Sequence, residues 1–230
     1  MKALALYTGG KDSHYAIMEA LRQGVDVRVL LTAVPRREDS WMFHVVNIKW
    51  TKLHAEAMER KIIYHTVSGE KEEEVKELEE IIGKIIEETG IEAIITGAVA
   101  SMYQKKRIDK IAEELGVKHI APLWGRDQEE LVRSEARTLR FIITAVQAYG
   151  LTEKWLGAEI TGDNIDEFLD TCRRYSISPV GEGGEFETFV IDSPLMKKRV
   201  SIRKGKRIWH PAGYGYFIIE DALLEEKPCG

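Results

Sequence analysis

Lys2-Ala3-Leu4-Ala5-Leu6-Tyr7-Thr8-Gly9-Gly10-Lys11-Asp12-Ser13 is an apolar run that breaks at a hydroxyl and a glycine pair, and helix-like periodicity through Ile17, Ala20 and Leu21 follows it. The order is strand, glycine loop, helix. Such a loop leaves backbone N–H groups unpaired at the positive end of a helix, which is the physical requirement for cradling a phosphate. The spacing is too short for GxxxxGK[ST], and the GxGxxG pattern of dinucleotide folds is missing. Taken alone, the same residues also fit an ordinary strand-to-helix turn in which Asp12 or Ser13 caps the helix.

Working outward, Val27 to Val34 is apolar apart from Arg28 and Thr32, as expected of a strand covered on both faces, and similar runs follow at Ile62 to Val67 and Ala93 to Thr96. Residues 70 to 89 carry seven acidic residues near their start, yet Val75, Leu78, Ile82 and Ile85 recur at spacings of three and four. That pattern is a helix with one buried stripe rather than an acidic tail. Another helix is expected from Tyr103 to Leu115, stopped by Gly116, and a strand from Val117 to Ala121. Alternating strands and helices call for an open parallel α/β sheet with right-handed crossovers. Pro122-Leu123-Trp124-Gly125 marks a boundary, dividing the chain into residues 1–121, with the phosphate loop, and a smaller α+β part, residues 122–230. Beyond it the patterns predict a helix over 127–139, a strand over 140–148, a helix over 164–175, and strands over 186–191, 199–203, 207–210 and 215–220, with a turn at Lys204-Gly205-Lys206.

The 230 residues include 33 Lys and Arg against 38 Asp and Glu, a net charge of −5, and 44% are hydrophobic, enough to bury a core. Net acidity argues against a nucleic-acid binder held by counterion release, and no apolar run is long enough to span a membrane. The two cysteines, Cys172 and Cys229, form no CxxC pair, so a disulfide framework, a thiolate zinc site and a paired redox thiol all lose support. Lys and Glu dominate the charged residues while Asn and Gln total six, a bias of proteins from hot environments. The expected location is the cytoplasm. Lys197, Lys198, Arg199, Arg203, Lys204, Lys206 and Arg207 place seven positive charges in eleven residues, either guarding an edge hairpin or forming a docking patch for an acidic partner.

Thr8 to Ser13 resembles the SGGxDS loop of the N-type ATP pyrophosphatases, the PP-loop superfamily, with Thr8 keeping the hydroxyl of the first serine. Gly181-Glu182-Gly183-Gly184-Glu185-Phe186-Glu187-Thr188 looks like the signature of the diphthine–ammonia ligase family within it. Ser40-Trp41-Met42-Phe43-His44, Gly97-Ala98-Val99-Ala100-Ser101-Met102-Tyr103-Gln104, Pro122-Leu123-Trp124 and Gly150-Leu151 with Trp155-Leu156-Gly157 are similar to further segments of that family, so the resemblance runs along nearly the whole chain. Lys105 stands where the family commonly has Arg, keeping the charge without the bidentate fork, and Ile108-Asp109 departs from the usual continuation.

The resemblance implies an adenine-nucleotide α-hydrolase-like fold and ATP-dependent amidation of the diphthine carboxylate on translation elongation factor 2. An acyl-adenylate would form, ammonium would supply the nitrogen, and AMP and pyrophosphate would be released. It implies that Thr8, Gly9, Gly10, Lys11, Asp12, Ser13, Met42, His44, Gly97 and Ala98 hold ATP, with Asp12 on Mg²⁺. Ser101, Tyr103, Gln104, Lys105, Arg107, Glu182, Gly183, Gly184, Glu185 and Glu187 would line the acceptor side, and Asp12, Ser13, Glu185 and Glu187 would take part in the chemistry. One of Glu182, Glu185 and Glu187 would hold ammonium and accept its proton. No direct contact with nucleic acid or membrane is implied, and a homodimer is compatible with the pattern. Two other functions fit the loop alone: another amide-forming or tRNA-modifying PP-loop enzyme, and a nucleotide-binding sensor without catalysis.

Overall fold

Five parallel strands in the order β3-β2-β1-β4-β5 form one sheet of the computed structural model, which describes residues 1–35, 47–68 and 71–228. The strands are β1 (Lys2–Leu6), β2 (Asp26–Pro35), β3 (Lys61–Val67), β4 (Ala93–Ile95) and β5 (Lys118–Ile120), and β1 pairs in parallel with both β2 and β4. Helices α1 (Lys11–Arg22), α2 (Thr51–Ala57), α3 (Lys71–Thr89) and α4 (Met102–Glu114) make the crossovers. The alternation within β1 shows why both faces are covered. Ala3, Ala5 and Tyr7 enter the cluster packed around α1, whereas Leu4 joins Ile82 and Ile85 of α3 and Ile108 and Ile111 of α4 on the opposite face. The expected buried stripe of the acidic helix is therefore the face that covers this sheet.

A second, antiparallel sheet has the order β7-β6-β9-β8, built from β6 (Arg140–Val146), β7 (Phe186–Asp192), β8 (Lys198–His210) and β9 (Tyr214–Glu226). Helices α5 (Gln128–Thr138) and α6 (Ile165–Tyr175) accompany it. One buried cluster contains Ala3, Ile17 and Ala20 together with Phe141, Phe168, Phe189 and Ile219, so the two sheets share a core. The turn leading into α2 adds to the union. Trp50 Nε1 donates to the Ile219 carbonyl at 2.8 Å, and Asn47 clamps β9 by donating to the Phe217 carbonyl and accepting from the Ile219 N–H, each at 2.9 Å.

The turn expected at Lys204-Gly205-Lys206 does not exist; β8 runs straight through it with a register shift, and the chain reverses between His210 and Tyr214 instead. Gly205 is needed for close packing, because a Cβ there would lie 2.3 Å from Cζ of Phe217. The true turn uses Gly213 at φ +87°. The basic residues of β8 meet acids across the hairpin: Lys198–Glu226 at 2.9 Å, Lys204–Glu220 at 2.8 Å and Arg199–Glu225 at 3.1 Å, with Arg203 also on Glu225. Cross-strand pairing accounts for four of those seven charges and weakens the reading of the run as an isolated positive field. Cys172 is buried and its thiol is pushed up to about 12, chiefly by burial, which makes it inert. Among the described residues no helix is long and apolar enough to cross a membrane.

Candidate active site

The strand order reverses about β1, so the chain leaves β1 and β4 in opposite directions and opens a crevice at their carboxyl ends. A cavity of about 760 Å³ occupies it. One wall is Thr8, Gly10, Asp12 and Ser13 from the first loop; the next is Thr96, Gly97 and Ala98 after β4, with Tyr103, Gln104 and Arg107 of α4. Gly181, Glu182, Gly184, Glu187 and Thr188 close it from the second sheet, and Leu6, Ala33, Pro35, Ile48, Val75 and Leu78 supply an apolar lining. The two glycine-rich segments, with Asp12 and Glu187 175 residues apart and on different sheets, thus meet across one space.

Gly9, Lys11, Ser101, Lys105, Gly183 and Glu185 do not line that cavity. Met42 and His44 lie outside the described residues, as does the whole segment Ser40 to His44. Gly9 is turned inward at φ +82°, and a Cβ on it would come within 2.7 Å of Thr51 Cγ2. Its role is to let the loop bend against α2. Gly97 likewise serves chain packing, since a Cβ there would stand 2.7 Å from the Ser13 nitrogen and 2.8 Å from the Asp12 carbonyl carbon. Ser101 caps α4 by accepting from the Gln104 N–H at 3.3 Å, and Lys105 is spent on Asp109 at 2.6 Å.

The first loop is sewn to β7. Val190 N–H donates to the Gly9 carbonyl at 3.0 Å, and Lys11 N–H donates to Thr188 Oγ1 at 3.1 Å. Helix α1 has Gly10 at its N-cap and no side-chain cap, so neither Asp12 nor Ser13 plays that part. Ser13 Oγ donates to the Gly10 carbonyl at 3.0 Å, which leaves the Thr8 hydroxyl to donate to Ser13 across 3.2 Å. The loop therefore presents hydroxyls and a helix N-terminus to the cavity with its shape fixed from behind.

Lys11 departs most from expectation. Its side chain is 1% exposed and points away from the cavity, with Nζ 2.6 Å from Asp12 Oδ1 and 3.2 Å from Glu135 Oε2 of α5. The second contact is an ion pair off the hydrogen-bond line, and both Glu135 oxygens lack hydrogen-bond partners. Burial, reinforced by the Asp12 charge, raises the Glu135 carboxyl well above the usual carboxylate range. Burial works against the Lys11 ammonium, but the two carboxylates outweigh it and hold its pKa above the ordinary lysine value. Asp12 is thereby held from behind while its side chain, 27% exposed, faces the cavity.

The signature glutamates take three different places. Glu182 Oε1 accepts the Val99 N–H at 2.9 Å and Oε2 accepts those of Ala100 and Ser101 at 2.6 and 2.8 Å, clasping the second sheet's loop to the turn after β4. Glu185 folds over Gly183, where a Cβ would meet its Oε1 at 2.9 Å, and its buried Oε2 has no hydrogen-bond partner. Glu187 lies on β7, pairs in register with Ala145, and faces the cavity.

Beneath the loop sits a buried chain that sequence reasoning missed. His54 Nε2 is 2.6 Å from the Val190 carbonyl oxygen, so that nitrogen carries the proton and Nδ1 accepts from the Tyr7 hydroxyl at 2.8 Å. Tyr7 must then accept from His14 Nδ1 at 2.9 Å, and His14 Nε2 accepts from the Ser193 hydroxyl at 2.7 Å. Both histidines are neutral. Burial lowers His14 to about 3, helped by His54 and Lys227, and lowers His54 to about 4. The only sequence signal was the unusual density of polar residues in otherwise apolar surroundings, and α2, which carries His54, had not been expected as a helix.

Residues 1–119 match the model of the diphthamide synthase N-terminal domain and residues 127–224 that of the diphthamide synthase C-terminal domain. A diphthine–ammonia ligase of Rattus norvegicus is 32% identical over 251 residues, covering 99% of this chain and 94% of that protein. The Homo sapiens protein of the same name is 31% identical over 252 residues, with the same coverage of 99% and 94%. That of Schizosaccharomyces pombe is 31% identical over 245 residues; this chain is covered to 99% but spans only 40% of the yeast protein.

Proposed function

The chain belongs to the diphthamide synthase family, and on that footing we propose that it converts the carboxylate of diphthine on elongation factor 2 into an amide, using ATP and ammonium and releasing AMP and pyrophosphate. The observation that carries the reading is the convergence of Thr8–Ser13 and Gly181–Thr188 on one cavity. A carboxylate resists ammonia because oxide is a poor leaving group, and joining AMP to it removes that obstacle. In this reading ATP enters with its phosphates against Gly10, Asp12 and Ser13, where the N-terminus of α1 and two hydroxyls meet developing negative charge. The base lies against the apolar side made by Leu6, Ala33 and Pro35.

Arg107 stacks on Tyr103, with Cζ 3.3 Å from the ring centroid, and both border the cavity toward the acceptor. Asp12 is the residue that would hold Mg²⁺. Such an ion would be held mostly by the phosphates and water, with Asp12 as its protein ligand. The place of work is the cytoplasm, where the elongation factor acts. Pyrophosphate release that requires diphthine-bearing factor and ammonium, and is indifferent to tRNA, supports this function; release driven by tRNA would replace it with the RNA-modifying alternative, and no release with any acceptor would leave a nucleotide sensor.

A further inference from the structure

Resting on that reading, we propose that Thr96, His119 and Asp109 form a relay in the cavity wall that takes up the proton shed by the attacking nitrogen as the amide forms. The three residues come from separate elements. Ile94 of β4 belongs to the buried cluster on the α3 and α4 side of the sheet, and Thr96, two positions on, turns to the same face. There its Oγ1 lies 2.8 Å from Nε2 of His119 on β5, and His119 Nδ1 lies 2.6 Å from Oδ1 of Asp109 on α4.

The order of protons follows from the carboxylate. Lys105 Nζ donates to Asp109 Oδ2 at 2.6 Å, and this contact, joined by the His119 hydrogen bond, holds the Asp109 carboxyl below its usual range. An ionised Oδ1 needs the ring proton on Nδ1, so Nε2 of the neutral ring accepts from the Thr96 hydroxyl. The lone pairs of Thr96 Oγ1 are then offered to a donor. Thr96 borders the cavity, the His119 side chain behind it is 5% exposed, and Asp109 at the far end is 42% exposed, so the chain runs from the cavity to solvent. A hydroxyl backed by an imidazole and a carboxylate can pass a proton on without keeping charge itself.

Strand order gives the relay its place. With the base against Ala33 and Pro35 of β2 and the phosphates on the loop after β1, a carboxylate joined to the α-phosphate extends toward β4, which Thr96 follows. Gly97, the next residue, packs on the Asp12–Ser13 backbone and keeps Thr96 beside the phosphate loop. Ammonium loses one proton on becoming ammonia, whose nitrogen pair attacks the acyl carbon and forms the C–N bond. The nitrogen then carries one proton too many. That proton passes to Thr96 Oγ1 as the hydroxyl's own proton passes to His119 Nε2, and the bond from carbon to the AMP oxygen breaks with its electrons leaving on AMP. The imidazolium, held by Asp109, gives its extra proton to water as the products depart.

A single-turnover experiment, with the chain in excess over diphthine-bearing factor, separates the two halves of the reaction: pyrophosphate release reads adenylation and amide formation reads the attack. Thr96→Val keeps the shape and removes the hydroxyl; His119→Gln keeps hydrogen-bonding groups at the site but cannot store a proton. Each should lower amide formation on the order of 10²-fold while pyrophosphate release falls far less. Thr96→Ser should recover most of what Thr96→Val loses. Equal losses in both halves would make the three residues a support of the ATP site and overturn the relay, as would near-normal amide formation in either variant. A loss confined to amide formation in Glu74→Gln, Glu185→Gln or Glu187→Gln, with none in Thr96→Val, would move the proton to that carboxylate instead. If the unaltered chain makes no amide the proposed function itself fails, whereas amide from the unaltered chain and from Thr96→Val alike sinks only this inference.

Discussion

Acidification should unfold this protein through His14 and His54 before its surface ion pairs titrate. Both rings are fully buried and neutral, at about 3 and about 4 respectively, against an ordinary value of 6.5. A lowered folded value means that the unfolded chain takes up the proton first. Stability is therefore complete above about pH 6.5 and falls as the pH drops toward the folded values. Linkage gives a loss of ~2 kcal/mol per ring by about pH 5, or ~4 kcal/mol for the two. That is a large fraction of the ~5–15 kcal/mol typical of a folded domain. The proton order explains why nothing absorbs the charge. A proton added to His54 Nδ1 displaces the Tyr7 donor, and one added to His14 Nε2 displaces the Ser193 hydroxyl.

Urea unfolding followed by tryptophan fluorescence at steps between about pH 7.5 and about pH 5 would measure the slope. His14→Gln and His54→Gln should each remove roughly half of it, while lowering stability at neutral pH by breaking the chain. A midpoint that stays constant over this range, or an unchanged slope in both variants, would refute the reasoning.

Lys11→Met should cost ~2 kcal/mol because it leaves the buried Glu135 carboxyl, held neutral by its surroundings, without a polar partner, and Lys11→Met with Glu135→Leu should recover much of the loss in thermal melting. Gly97→Ala should reduce kcat/KM for ATP on the order of 10²-fold, since its Cβ would press on the Asp12–Ser13 backbone; steady-state kinetics with varied ATP tests it. Ser13→Ala should slow pyrophosphate formation on the order of 10²-fold with little change in the melting temperature.

The parallel sheet was legible because its strands are short apolar runs separated by amphipathic helices, a pattern that local composition expresses directly. Thr8–Ser13 and Gly181–Thr188 were legible as loops for a different reason: glycine and carboxylate density is costly in a core, and both loops border the cavity. What could not be read depends on which way a side chain turns. Lys11 has the sequence environment of a surface lysine, and only the approach of Glu135 from α5, 124 positions away by subtraction, makes burial tolerable. The three signature glutamates are equivalent as letters and differ in space because Glu182 finds three amide donors from the turn after β4. Lys204-Gly205-Lys206 misled because glycine permits a turn and close packing equally; Phe217, a cross-strand neighbour, decides between them. α2 escaped notice because it is short and anchored through Asn47 and Trp50 to β9 rather than by its own periodicity.

The central claim is that one cavity joins ATP to a protein-bound carboxylate so that ammonium can replace the oxygen. Incubating the purified chain with ATP, Mg²⁺, ammonium and diphthine-bearing elongation factor, and determining the factor's mass by high-resolution mass spectrometry, tests it directly. The expected result is the mass change of an acid becoming an amide, with one AMP formed per modified factor and no ADP. An unmodified factor in a reaction that consumes ATP, or modification accompanied by ADP, would contradict it.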